Sequence, residues 1–545
     1  MLKQIRIDSL LLFLFLGIVF LWCFFPDIKS KLLENEHYTV IRMSLDEQLD
    51  FPAQGKSEEG KISVYNDNLQ LLYSVNGGDD YLSVANNKLS TDEIQNPAII
   101  YQNTSIRWRH PKGSFPTLRT VLVKLRDEKN KTESRPRVLT YFSEITSDFP
   151  IINISARQGD LFSWERGIMV YGSESSIDDG FQKDWWYRSA NFASRGVEWG
   201  RAVYFQYFEK GQLQTEQKCE IRISGNATRY FPQKSLKLFP LDNVGKKGRI
   251  DFPFFGDDGN KKFESLLLRH SGNDNNKTLF ADLLMNRLAS GANVLVQNGF
   301  PVSVYINGNY WGIYNFRERF DSYLIAKKEG VSKEDVTILQ CEGYGDRTLL
   351  KEGRKKEKQA FDSLILSLSQ ETFLSKKGYD EIRKEVSVKS FIDYIIFETF
   401  YANNDWLHNN TMWYKAKDKK WKWLLNDLDF SLAYPGENNV NTNLFEKLKK
   451  NVSVTAQLFN ALMSNADFNA RFKNRAEEII ATNFSDNSID EHYFSLKKRY
   501  ETEIDQHIRR WRFMDSHEQW EKDCEKNATF LRERRTIFLK QVEVL

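Results

Sequence analysis

The period of the apolar pattern changes once along this chain. From residue 41 to about 330, short alternating runs such as KISVYN, LLYSVNG, SIRWRH, RGIMVYG, EWGRAVYFQYF and KSLKLFP are separated by Gly, Asn, Asp and Pro. That is the pattern of half-buried strands. From 331 to 545 the apolar residues recur at helical spacing, and VKSFIDYIIFETFYAN is apolar nearly all round, which marks a helix buried on every side. A helix also interrupts the strands at TLFADLLMNRLASG, with Gly291 just past its end. Strands followed by helices predict an α+β fold with two lobes, and a cleft between lobes is a common place for a ligand.

The chain has 545 residues, of which 41% are hydrophobic and 14% aromatic. That composition supports a sizeable core and two or three domains. The 77 basic and 74 acidic residues leave a net charge of only +3, so electrostatics give no case for a nucleic-acid partner. Four cysteines are scattered at 23, 219, 341 and 524 without a CxxC pair, which points to neither a zinc site nor a disulfide framework. Lys3 and Arg6 precede an unbroken apolar run at 10–25, and no small-residue cleavage site follows. Residues 1–30 therefore read as a signal anchor or transmembrane segment, with the membrane as a partner and the main domain outside the cytoplasm or at the cell surface.

Two domains are expected after the anchor. Residues 41–147 read as a β-sandwich, ending in the strand pair of PTLRTVLVKLRDEKNKTESRPRVLTYF. That end, with its VLTYF edge, resembles the small sandwich at the C-terminus of chitobiases and β-hexosaminidases. The resemblance implies a spacer or a module that contacts glycan. Residues 148–545 form the second domain, β-rich to about 330 and helical over 331–545.

The densest chemistry lies in NNDWLHNNTMWYKAKDKKWKWLLNDLDFSLAY, residues 403–434. TMWYKA and KWKWLL read as two short strands about the turn KDKK. A hairpin brings its outer ends together, so Asp405 and Asn410 should meet Asp427 and Asp429. Clustered carboxylates repel unless a cation lies between them. Donors that are almost all oxygen favour a hard ion, Mg²⁺ or Mn²⁺. Asp405 and Asn410 also keep the D-x-x-x-x-N interval of a kinase catalytic loop, in which the Asp is the base and the Asn holds metal.

Five segments occur in order: IRISGNATRYFPQKSLKLF, LLLRHSGNDNNKTLFADLLMNRL, VYINGNYWGIYNFRERFDSYLI, the 403–434 stretch, and a C-terminal RRW…W…R pattern. Together they resemble the CotH kinase family, named for spore coat protein H, over roughly residues 148–545. The resemblance implies a much-diverged protein-kinase-like fold and phosphate transfer from ATP to Ser or Thr hydroxyls of a partner protein, with a divalent cation. Carried over by position, it makes Asp405 the catalytic base. Asn410 and Asp427 become metal ligands, with Asp429 as alternative or auxiliary. Strand alternation makes Lys237 the candidate for the ATP phosphates, with Lys234 competing at the strand start. Arg222 and the SGN turn at 224–226 are placed to approach phosphate. Glu318 matches a characteristic acid of the family, at the hinge between lobes or paired with a lysine. The family's usual W-D-x-D ending in Gly is here Asn426–Asp427–Leu428–Asp429 followed by FSLAY, which puts the loop geometry in question. The rival readings are a non-catalytic surface protein that binds glycan or a protein, and metal-assisted hydrolysis at the same carboxylates.

Overall fold

The computed structural model describes residues 39–545 except 42–48, 52–53, 57–59, 65, 100–103, 143–147, 177–187, 243–244, 257–259, 343–346, 369–375, 408 and 435–438. The expected anchor at 1–30 lies outside the described residues. No helix among the described residues is long and apolar enough to cross a membrane. The described chain groups into two units, one within Met1–Pro97 and Arg119–Ser143, the other within Ala98–Leu118 and Glu144–Leu545. The expected boundary at 147/148 thus runs past an exchange: residues 98–118 belong to the second unit.

In the first unit, strand Arg119–Asp127 pairs antiparallel with Arg137–Phe142 and with Leu69–Ser74. A separate three-stranded sheet joins Leu49–Asp50, Lys61–Val64 and Lys88–Ser90. Alternate residues of both sheets, among them Ile62, Leu71, Leu89, Val121, Val123 and Leu139, make one core.

The second unit is built on seven strands: β1 (Ile151–Ser155), β2 (Arg201–Glu209), β3 (Gln212–Ile223), β4 (Leu236–Pro240), β5 (Leu266–Arg269), β6 (Gly299–Ile306) and β7 (Asn309–Glu318). They run in the order β3-β2-β1-β6-β7-β5-β4, and β4 also pairs with β3, so the sheet closes on itself. Period-2 alternation then sends Ile154, Phe205, Ile221, Leu238, Leu268, Val304 and Phe316 to the apolar interior. The intervening residues Arg222, Lys237, Leu267 and Arg317 lie in register on the outer face. Two expected strands do not form. SIRWRH and RGIMVYG alternate, but neither finds a partner strand; Ser105 Oγ instead donates to the Tyr230 carbonyl at 2.5 Å.

The rest of this unit is mainly helical. Helix α1 (Ala281–Leu288) packs beside the closed sheet. Helix α2 (Val388–Phe400) is buried from Ser390 to Phe400, as its sequence predicts. Its last carbonyls, at Thr399 and Phe400, accept from Arg534 at 3.0 and 3.2 Å. Arg534 is on the long helix His517–Glu543. A cation at a helix C-terminus both satisfies free carbonyls and opposes the macrodipole. A small sheet contains β8 (Val336–Glu342), β9 (Arg347–Glu352), β10 (Met412–Ala416) and β11 (Lys422–Leu424), in the order β9-β8-β10-β11. Cys219, Cys341 and Cys524 are buried, and Cys219 and Cys524 are free thiols.

Candidate functional site

The hairpin forms as the sequence predicts, with Met412 opposite Leu424. It brings its flanking loops together: Asn404 N donates to Phe430 O at 3.2 Å, and Asn403 Nδ2 reaches Asp427 O at 3.5 Å. Lys447 Nζ pins the first loop through the carbonyls of Asn404 and Trp406, at 2.8 and 3.1 Å. Ala402, Leu407, Asn410, Asp427 and Leu432 all have φ between 55° and 78°. Left-handed backbone at non-glycine residues costs on the order of 1 kcal/mol each and collects at functional sites.

The Asp405 carboxylate accepts from Asn409 Nδ2 at 3.1 Å and Asn410 Nδ2 at 2.9 Å. Burial pushes its pKa up and the Asp427 charge adds to this, while the two amides and Lys447 oppose it. Beneath the loop, Glu398 is fully buried. One of its oxygens accepts from Asn403 Nδ2 at 2.9 Å and the other has no partner among the described residues. Burial, with the Asp282 and Asp427 charges, raises it to about 8.

The cation among these acids is one that the sequence reading missed. Arg269, at the end of β5, donates through Nη2 to Asp427 and to Asp429 Oδ2, the latter at 2.5 Å, and lies 3.7 Å from Asp282. Asp282, on α1, also pairs with Arg317 Nη1 at 2.5 Å and accepts from Leu428 N at 3.0 Å. Asp429 takes two more hydrogen bonds, from Asn273 N and Nδ2 at 2.9 and 3.0 Å. Burial and its neighbour Asp427 push Asp429 up, against the pull of Arg269 and Asn273. Gly272 (φ 59°) lets the backbone approach so closely that a Cβ there would overlap the Asp429 carboxylate. The signals for this half were a charge ending the apolar strand LLLR, a Ser-Gly turn after it, and an acid in the apolar helix ADLLMNRL. None of them names its partner, 146 to 160 residues away.

Among the described residues, no three His, Cys, Asp or Glu side chains are grouped as a ready-made metal cage. The donors fit the other kind of hard-ion site, in which one or two protein oxygens hold an ion that phosphate and water complete. The Asp427 side chain is 33% exposed and has room for such an ion. Asn410 uses its amide nitrogen on Asp405, which leaves its carbonyl oxygen as the donor. Asp429, 5% exposed and held by Arg269 and Asn273, does not fit as a ligand. It anchors Arg269 instead.

Of the three residues expected at the phosphates, two come together. Arg222 and Lys237 are cross-strand partners on the outer face. With Arg195, Arg229, Arg319 and Phe239 they line a cavity of about 190 Å³. Among the described residues, Lys237 has no hydrogen-bond or ion-pair partner. Burial, then the cations Arg319, Lys351, Arg229 and Arg195, lower its pKa to about 7. Lys351, also missed, is half-buried; among the described residues its Nζ meets only the Met412 sulfur, at 3.4 Å, and it is lowered to about 8 by burial, then by Arg319. Lys234 is corrected, and Glu318 takes the lysine-paired alternative. Lys234 is fully buried, and its Nζ donates to the carbonyls of Thr104, Arg229 and Phe231 at 2.6, 2.6 and 2.8 Å. It is a structural cation with no donor left for phosphate. Glu318 is buried, accepts from Asn298 N at 3.1 Å and pairs with Lys328 at 3.6 Å. Alternation points it away from the face that carries Lys237.

A mixed α/β unit with an oxygen-rich acid cluster near a basic cavity is kinase-like in its make-up. The chain belongs to the CotH family: the model of the CotH kinase protein matches residues 221–538. That span includes every site residue expected from the sequence. No curated protein matches the chain.

Proposed function

We propose that the second unit transfers the γ-phosphoryl group of ATP to a Ser or Thr hydroxyl of a protein. One observation carries the reading: the basic cavity and the acid cluster emerge from one face of the closed sheet. Lys237 is in register with Leu267, and Arg269 follows two residues along β5 on the same face. One strand spacing across and two rises along separate the two backbones by on the order of 8 Å.

In this reading Lys237 and Arg222 orient the phosphates, and Lys237 brings a donor not engaged elsewhere. Asp405 receives the proton of the acceptor hydroxyl as its oxygen attacks phosphorus and the bond to the ADP oxygen breaks. Its raised pKa suits that role, since a base works best with a pKa near ambient pH. Asn409 and Asn410 hold its carboxylate in place. Arg269 fixes Asp427 and Asp429 and keeps the acids from repelling one another. Asp427 and Asn410 would hold Mg²⁺ or Mn²⁺, which when bound supplies neutralisation of phosphate charge.

Thermal unfolding with and without ATP and Mg²⁺ tests binding apart from chemistry. Ligand at about a hundred times its dissociation constant stabilises the native state by roughly 2.7 kcal/mol. Wild type and Asp405→Asn should both shift, with transfer lost only in the variant. Asp427→Ala and Asn410→Ala should shift less. No shift in folded wild type would favour a non-catalytic surface protein. We also propose attachment to a membrane through residues 10–25, with the main domain exported. A reporter fused after residue 150 that is active only in the cytosol would overturn that.

A further inference from the structure

Apart from the cavity at Lys237 and the acid cluster, the second unit has a larger cavity of about 360 Å³. Its volume lies within the range of sites that take small molecules. One wall is aromatic: Phe254, Phe255 and Phe300 line it, with the Phe255 and Phe300 rings 5.6 Å apart and tilted. The lining also carries two arginines, Arg287 on α1 and Arg499 on the helix Asp486–Glu501.

Both arginines are half-buried. Among the described residues, neither makes a hydrogen bond or an ion pair, although Arg499 lies 5.9 Å from the Phe149 ring. By contrast, Arg229, Arg269, Arg475 and Arg534 are all committed to carbonyls or carboxylates. Burial lowers the Arg287 pKa, and Arg499 lowers it further as a like charge. Among the described residues the one carboxylate in the lining is Glu209, which accepts from Tyr207 Oη at 2.7 Å.

A guanidinium fork matches a carboxylate in a bidentate way and is poorly served by an apolar wall alone. Two such forks, neither in ion-pair contact with a carboxylate among the described residues, leave donors that an anionic ligand can take up. The aromatic lining asks for a flat apolar body. We propose that this cavity binds a small aromatic carboxylate, its carboxylate on Arg287 and Arg499 and its ring against Phe255 and Phe300.

The site requires no particular reading of the acid cluster, so its test is independent of ATP. Ligand-observed fluorine NMR on the full chain, with 3-(4-fluorophenyl)propionate as the probe, should show saturable binding in the millimolar range expected for so small a molecule. The corresponding neutral amide should bind at least tenfold more weakly. Arg287→Met and Arg499→Met should each weaken the carboxylate at least tenfold and leave the amide unchanged. Equal binding of acid and amide to wild type would overturn the proposal without recourse to any variant. So would the absence of saturable binding, or full affinity in both arginine variants.

Discussion

Replacing Glu398 with glutamine should flatten the pH dependence of stability. Glu398 is fully buried, has one oxygen without a partner among the described residues, and is raised to about 8 from an ordinary 4.5, chiefly by burial. Below 4.5 the folded and unfolded chains both hold the proton, and the contribution to stability is fully present. Between 4.5 and 8 the unfolded chain ionises while the folded one keeps its proton. Stability therefore falls as pH rises, by about 1.4 kcal/mol per pH unit. From pH 5 to pH 8 the loss is on the order of 4 kcal/mol, much of a typical domain's stability. Glutamine cannot ionise and still offers Asn403 an acceptor. The assay is urea unfolding at pH 5.5, 6.5 and 7.5 without metal or nucleotide, followed by tryptophan fluorescence. Apart from Trp22, every tryptophan lies in the segments of the second unit, so the signal reports the unit that contains Glu398. The Glu398→Gln variant should gain about 1.4 kcal/mol on wild type with each pH unit. Parallel curves for the two proteins would refute the argument, because they would mean that Glu398 is ionised in the folded chain.

Arg269→Met should destabilise the second unit by about 3–5 kcal/mol, because it leaves buried carboxylates without their cation; adding Asp429→Asn should recover part of that in the same unfolding assay. Gly272→Ala should displace the Asp429 carboxylate and cost on the order of 1–2 kcal/mol through its positive φ and the overlap, with a smaller thermal shift from ATP and Mg²⁺ as the second readout. Lys237 is charged below about pH 7 and neutral above it; ATP affinity measured by calorimetry should therefore fall as pH rises through that value, and Lys237→Met should lower the affinity and remove this part of the slope.

How much of this was legible depends on how far apart in sequence the partners lie. The hairpin and its acids were readable because Met412–Ala416 and Lys422–Leu424 are joined by a short charged turn. The buried helix was readable because its apolar residues leave no polar face. Lys237 followed from alternation between Leu236 and Leu238. Lys234 could not be separated from it, because the carbonyls that hold it come partly from Thr104, 130 residues earlier. Arg269 and Asp282 were hidden for the same reason, since one charged residue in an apolar run does not name its counter-ion. Closure of the sheet rests on the pairing of β3 with β4 across a twelve-residue loop with no regular alternation. SIRWRH shows the converse: alternation makes a strand possible, but only a partner makes it one.

The interleaving of the two units has a consequence for how such a chain can be rearranged by recombination. Residues 98–118 lie between two stretches of the first unit, yet they supply the second with a carbonyl for Lys234, a hydroxyl for Tyr230 and a backbone bond from Lys112 to Arg509. A crossover at residue 148 would carry away those groups with the N-terminal module. The Lys234 ammonium, fully buried, would then have two carbonyls in place of three. The N-terminal unit cannot be exchanged cleanly at a single junction. A transplant that keeps the second unit whole must retain 98–118 and insert the foreign module around it, at two junctions rather than one.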